Sequence, residues 1–130
     1  MPIVNRNTLK NFFKKGSFPT EVHFASLIDS TINKIDDGFA KDVEDGLQIS
    51  PQGTSDKLIS FYNNIRDKNP AWHVALNPDA KTKGLSIGED RTTSRLFIQE
   101  GGNVGVGTTS PKQKLEVDGF VGMKGRIGTF

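Results

Sequence analysis

Between residues 101 and 119 the chain reads GGNVGVGTTSPKQKLEVDG, and no other stretch restricts the fold as tightly. Valine alternates with glycine, Thr-Ser-Pro interrupts, and alternation resumes at Leu115 and Val117. A period of two belongs to β-strands and a Ser-Pro step to a turn, so the stretch predicts strand, turn, strand. In an extended chain Val104 and Val106 point to one face, while Gly105 and Gly107 leave the other nearly bare. A bare face lets a second backbone approach closely, which predicts contact between chains.

The pattern recurs. IQEGGNVGV, residues 98 to 106, lies over LEVDGFVGM, residues 115 to 123, at an offset of 17, with Gly102 on Gly119, Val104 on Val121 and Gly105 on Gly122. A looser copy, LSIGED at 85 to 90, falls on VGVGTT at 104 to 109. Short β units of similar size therefore follow one another from about residue 84.

The run GNVGVGTTSPKQKLEVDG resembles the GNVGIGTTxPxxKLxVxG segment of phage tail fibres, tailspikes and related adhesin-like appendages. The likeness covers roughly residues 94 to 125. It implies a trimeric β stalk and an appendage, not an enzyme. The trimer contacts it implies, together with the bare-face pattern, are Val104, Gly105, Val106, Leu115, Val117, Val121 and Gly122.

Residue distribution divides the chain. Residues 1 to 40 hold five of nine Phe and two of 14 Gly, whereas residues 84 to 130 hold ten Gly. A glycine-rich half with few bulky side chains must offset about 1 to 2 kcal/mol of chain entropy per residue with little apolar area. Association of several copies supplies the missing burial. The net charge of +2 comes from 17 basic and 15 acidic residues without a basic stripe, which argues against nucleic acid as a partner.

In the N-terminal part, Thr8 is the expected cap of a helix running from 8 to 15, with Leu9, Phe12 and Phe13 on one face and Gly16 as the stop. That face is either an aromatic clip for a neighbouring subunit or the packing surface of the same chain. Next, Ser17 or Thr20 caps a longer helix that Gly38 stops. Phe24, Leu27, Ile28, Thr31, Ile32 and Ile35 recur along it at three- and four-residue spacing, an apolar stripe of about four turns. Residues 9 to 39 resemble an N-terminal module of the form LKxxFxxGxxPTExxFxxLIDSxxxKxDDG, found in fibre-like proteins of Bacteroidetes phages and contractile injection particles. It implies the base of an appendage. The anchoring surface is then Leu9, Phe12, Phe13, Phe24, Leu27, Ile28, Ile32 and Ile35.

Asp45-Gly46, Pro51 and Gly53 mark residues 41 to 56 as a linker with one short strand at 47 to 49. Residues 58–62, 72–76, 85–87 and 96–98 read as strands between turn residues.

Catalytic constellations are hard to assemble. His23 and His73 stand about fifty residues apart, and the chain has no cysteine to complete a metal set or a disulfide. The one G-x-S-x-G match, GLSIG at 84 to 88, lies in a stretch that reads as a strand, with no strand-to-helix turn predicted near its serine, and the glycines at 102, 105 and 107 precede Pro111 instead of opening a phosphate-binding helix. Asp36 with Asp37, and Glu89 with Asp90, are sequence neighbours that diverge in direction and so make poor acid and base partners. Trp72 and Tyr62 could stack on a sugar, but a lone Trp within a strand more often belongs to a core or a subunit interface.

The expected architecture is α+β: two helices in an anchoring module at 1–40, a linker at 41–56, and an elongated, intertwined, mostly β trimeric stalk at 57–130. The expected role is a tail fibre or fibre base of a phage tail or contractile injection particle, anchored to a baseplate or other fibre subunits and projecting toward a cell-surface receptor or glycan. The expectation includes neither catalysis nor cofactor, neither nucleic acid nor membrane insertion. The first residues lack the apolar stretch of a signal peptide, so synthesis in the cytoplasm without Sec export is expected, and the resemblance implies residence on a virion tail or extracellular contractile particle. Appendages of this kind usually place the receptor site in a distal domain, and the sequence as far as RIGTF departs from that pattern. The alternatives are a compact carbohydrate-binding module and, more remotely, a tailspike-type polysaccharide hydrolase.

Overall fold

The computed structural model describes residues 3 to 125; the terminal RIGTF lies outside the described residues. Among the described residues the fold is α+β, with two helices and two sheets. The chain divides into two compact units, residues 1 to 49 and 50 to 130.

The first unit opens with α1, Arg6–Phe12. Its cap is Asn5, whose Oδ1 accepts the Thr8 N–H at 2.8 Å, so the helix begins earlier than a Thr8 cap predicts. Helix α2, Glu21–Asp29, is capped by Thr20, and the His23 ring closes the box by accepting the Thr20 N–H at Nδ1, 3.2 Å away. The two helices meet through aromatic pairs: Phe12 stacks on His23 with centroids 4.0 Å apart, and Phe13 meets Phe24 edge-on at 5.1 Å.

Helix α2 stops at Asp29, well short of the expected Gly38, so Ile32 and Ile35 are not part of a helical stripe. Local side-chain bonds explain the stop. Ser30 Oγ donates back to the Ser26 carbonyl at 2.6 Å while accepting the Val4 N–H at 3.1 Å. Asn33 Oδ1 then accepts the N–H groups of Ile35 and Asp36, and Asp37 Oδ2 accepts the N–H of Asn33 at 2.6 Å. Such bonds give the backbone a satisfied alternative to the helix.

Residues 39 to 49, expected to contain one strand in a linker, form an antiparallel hairpin of β1, Phe39–Asp42, and β2, Gly46–Ile49. Gly46 takes a left-handed φ of 69° where the three-residue connection re-enters the ladder, a conformation that favours glycine.

The second unit is one six-stranded sheet in chain order: β3 Lys57–Phe61, β4 Trp72–Leu76, β5 Gly84–Glu89, β6 Thr93–Gln99, β7 Val104–Val106 and β8 Leu115–Val117. All neighbours are antiparallel except β7 and β8, which run parallel, so the expected strand, turn, strand is not a hairpin. The connection 107–114 instead returns along β7. Gly107 turns it with φ 79°, Asn103 Nδ2 donates to the Pro111 carbonyl at 3.1 Å, and the Val104 N–H donates to the Lys114 carbonyl at 2.9 Å. Parallel pairs usually need connections of about a dozen residues or more. Here the strands span only three residues each, so a shorter return suffices.

One face of this sheet is closed within the chain. His73, Ala75, Ser86 and Phe97 are buried there. Small residues make room for larger neighbours: a Cβ on Gly84 would lie 2.7 Å from Phe97 Cζ, and one on Gly88 would lie 2.7 Å from His73 Cε1. Ser86 and Ser94 hydrogen-bond to each other at 2.6 Å, and His73 Nδ1 donates to the Asp90 carbonyl at 2.8 Å, so these polar groups are satisfied.

Candidate interaction face

The other face of the same sheet is apolar and open. Strand register places Ile59, Val74, Ile87, Leu96, Val106 and Val117 in one row across all six strands. Leu76, Leu85, Ile98, Val104 and Leu115 form a second row across five. Phe61 and Trp72 begin a third. Most of these side chains are more than a third exposed, from 36% at Leu85 to 63% at Leu115. Sheet faces that meet water normally carry polar residues in alternation with the core, and contiguous apolar patches of this kind mark interaction surfaces.

The bulges sharpen this sorting. Register slips between Lys57 and Ile59 and again opposite Ile87 and Gly88. The second slip leaves Arg95 as the extra residue, and its guanidinium pairs at 2.5 Å with Glu89, which register places beside Trp72, so the third row ends in an ion pair. Without the second slip, continued pairing from Leu96 opposite Ile87 would put Arg95 opposite Gly88, on the closed face beside His73.

The residues expected at a trimer contact divide between the faces. Val104, Val106, Leu115 and Val117 lie in the apolar rows. Gly105 does not: it is buried on the opposite side, where the side chain and carbonyl of Thr108 from the same chain fill the space next to it. The bare face read from Gly105 is thus covered by the 107–114 return. Val121 and Gly122 lie outside any strand, exposed, with nothing within 4 Å of a Cβ on Gly122. The offset-17 repeat persists only in backbone angles, since Gly102 and Gly119 both have left-handed φ, 107° and 145°, while Val121 lacks the strand that Val104 joins.

Nine further members of the rows, from Ile59 to Ile98, were not among the expected contacts. Part of their signal was present as strict alternation in WHVAL and GLSI, where every second residue is large and apolar and the intervening ones are small or polar. Small residues on the inner face imply that the bulk lies outside.

In the first unit, the expected anchoring residues scatter. Phe12, Phe13 and Phe24 take part in the aromatic pairs within the chain. Leu9, Phe13 and Leu27 line a groove between the helices, whereas Ile28, Ile32 and Ile35 stand exposed at 67%, 67% and 90%. Among the described residues, no cluster of three or more His, Asp and Glu side chains could hold a metal ion, and no helix is long and apolar enough to cross a membrane.

Neither a family model, nor a curated protein, nor a solved structure matches the chain.

Proposed function

We propose that this chain is a structural subunit of a fibre-like appendage, a tail fibre or fibre base of a phage tail or contractile injection particle, in which three copies associate and the mostly β part forms an elongated stalk. The observation that carries the association is the exposed pair of apolar rows on the six-stranded sheet. Burying such a face recovers about 25 cal/mol per Å², which a chain with so few buried large side chains needs. The likeness of GNVGVGTTSPKQKLEVDG and of residues 9–39 to appendage proteins supports the rest: the helical end docks to a baseplate or another fibre subunit, and the β end leads toward the target surface. The role is mechanical.

Light scattering on the purified chain tests the reading. The expected mass is three times the 14.2 kDa chain. Ile87→Asp, which places a charge in the middle row, is expected to give a folded species of lower mass, because an unpaired charge at a closed interface must be desolvated. A wild type that stays monomeric at micromolar concentration and above would sink the proposal. Antibody labelling of particles by electron microscopy then locates the subunit.

A further inference from the structure

Two surfaces within the first unit are open and complementary. Between α1 and α2 lies a groove of about 700 Å³ lined by the apolar side chains of Val4, Leu9, Phe13 and Leu27 and by the cations Arg6 and Lys10. These two cations stand four residues apart, on one side of α1, and neither makes an ion pair among the described residues. The hydroxyls of Ser30 and Thr31 at the groove already donate to the carbonyls of Ser26 and Ile28. What the groove offers an occupant is apolar surface and positive charge.

The β1–β2 hairpin offers the converse. Val43 at its tip is fully exposed, at 102%, and is flanked by Asp42, Glu44 and Asp45. Register puts Phe39 opposite Ile49, and Leu47 opposite Lys41, on one side of the ribbon, and Leu47 is 54% exposed. A two-stranded ribbon alone is marginally stable in water, so this one gains from a surface to lie against. Its tip is ordered in advance: the Asp42 carboxylate accepts the Asp45 N–H at 2.7 Å and a bond from Gln48 Nε2. Preorganisation of this kind lowers the entropic cost of docking.

We propose that the hairpin tip of one copy docks in the α1–α2 groove of a second copy, with Val43 on the apolar lining and Glu44 and Asp45 against Arg6 and Lys10. The groove of a given copy is not lined by its own hairpin. Tip and groove are different patches, so the contact is heterologous and can close a ring of copies. The inference rests on the reading that copies associate, but uses a surface other than the sheet face.

The chain has no cysteine, so single introduced cysteines report cleanly. Full-length chains with different tags, one carrying Val43→Cys and the other Thr31→Cys, are mixed and oxidised. A disulfide between them is expected at about tenfold the yield seen when Val43→Cys meets Thr54→Cys on the second unit, since only neighbouring Cα atoms can be bridged. Arg6→Glu with Lys10→Glu in the Thr31→Cys chain is expected to cut the yield about tenfold, and Glu44→Lys with Asp45→Lys in the other chain to restore it. A yield equal to the Thr54→Cys control overturns the proposal, as does charge reversal without loss or without restoration. If light scattering finds three copies but the link fails, docking is lost and the association through the sheet stands; a monomer without the link removes both.

Discussion

Thr108 occupies the volume that a side chain at Gly105 would need: a Cβ there would overlap the Thr108 carbonyl oxygen and lie 3.0 Å from its Cγ2. The alternating glycine of β7 is therefore required by the return of the same chain. Gly105→Val is expected to cost about 1 to 3 kcal/mol through overpacking, or more, because backbone must shift. Gly122→Val, with open space around it, is expected to be nearly silent. Thermal melting at low protein concentration compares them. Equal loss at both sites would mean that the connection 107–114 does not cover β7.

The strands of the second unit were legible because their signal is local. Alternation in residues 72–76 and the turn residues around 84–89 and 93–99 need no knowledge of distant partners. Pairing was not legible. Nothing in Val-Gly-Val distinguishes a hairpin from a parallel return, since the deciding bond from Asn103 to the Pro111 carbonyl spans eight residues. The open apolar face was visible in part at Val104, Val106, Leu115 and Val117, yet its larger part emerges only when register brings Ile87 beside Leu96 and Val74. In the first unit the three- and four-residue spacing beyond Asp29 suggested a longer helix, because periodicity takes no account of side chains that compete for the backbone.

That competition is testable at Asn33 and Asp37. Their carboxyl and amide oxygens hold the N–H groups of residues 33, 35 and 36, which a continuing helix would bond to carbonyls four residues earlier. Asn33→Ala combined with Asp37→Ala is expected to lengthen α2 by about one turn, since alanine favours helix by up to about 0.7 kcal/mol per residue over polar alternatives. Circular dichroism at 222 nm, a standard helix wavelength, would rise in magnitude; an unchanged spectrum would place the stop at Ser30 and its bond to Ser26 alone.

The hairpin tip carries a pH signature. The backbone N–H of Asp45 lowers the pKa of Asp42, the Gln48 and Glu44 bonds act in the same direction, and partial desolvation opposes them. A carboxylate with a depressed folded pKa stabilises the native state above its unfolded pKa and loses that contribution as pH falls through the folded value. The tip is thus expected to stay ordered at neutral pH and to loosen only below the usual carboxylate range. Carboxyl carbon shifts followed through an acid titration measure it. An Asp42 that titrates at or above the other exposed aspartates would contradict the hydrogen bonds at the tip.

Leu96 and Phe97 are neighbours in β6, yet they belong to opposite faces, one in the open middle row and the other fully buried. A strand reverses its side chains at every residue, so two adjacent substitutions separate folding from assembly. Phe97→Ala removes a core ring and is expected to cost about 3 to 5 kcal/mol, lowering the unfolding midpoint at every protein concentration. Leu96→Asp keeps the core and is expected to lower the midpoint only at concentrations where the wild type associates, because binding stabilises the folded state by mass action. Denaturant unfolding across a range of protein concentrations, beside light scattering on each variant, reads both effects. If Leu96→Asp unfolds the chain as severely as Phe97→Ala when dilute, the outer row is core of the single chain and cannot be the surface through which copies meet.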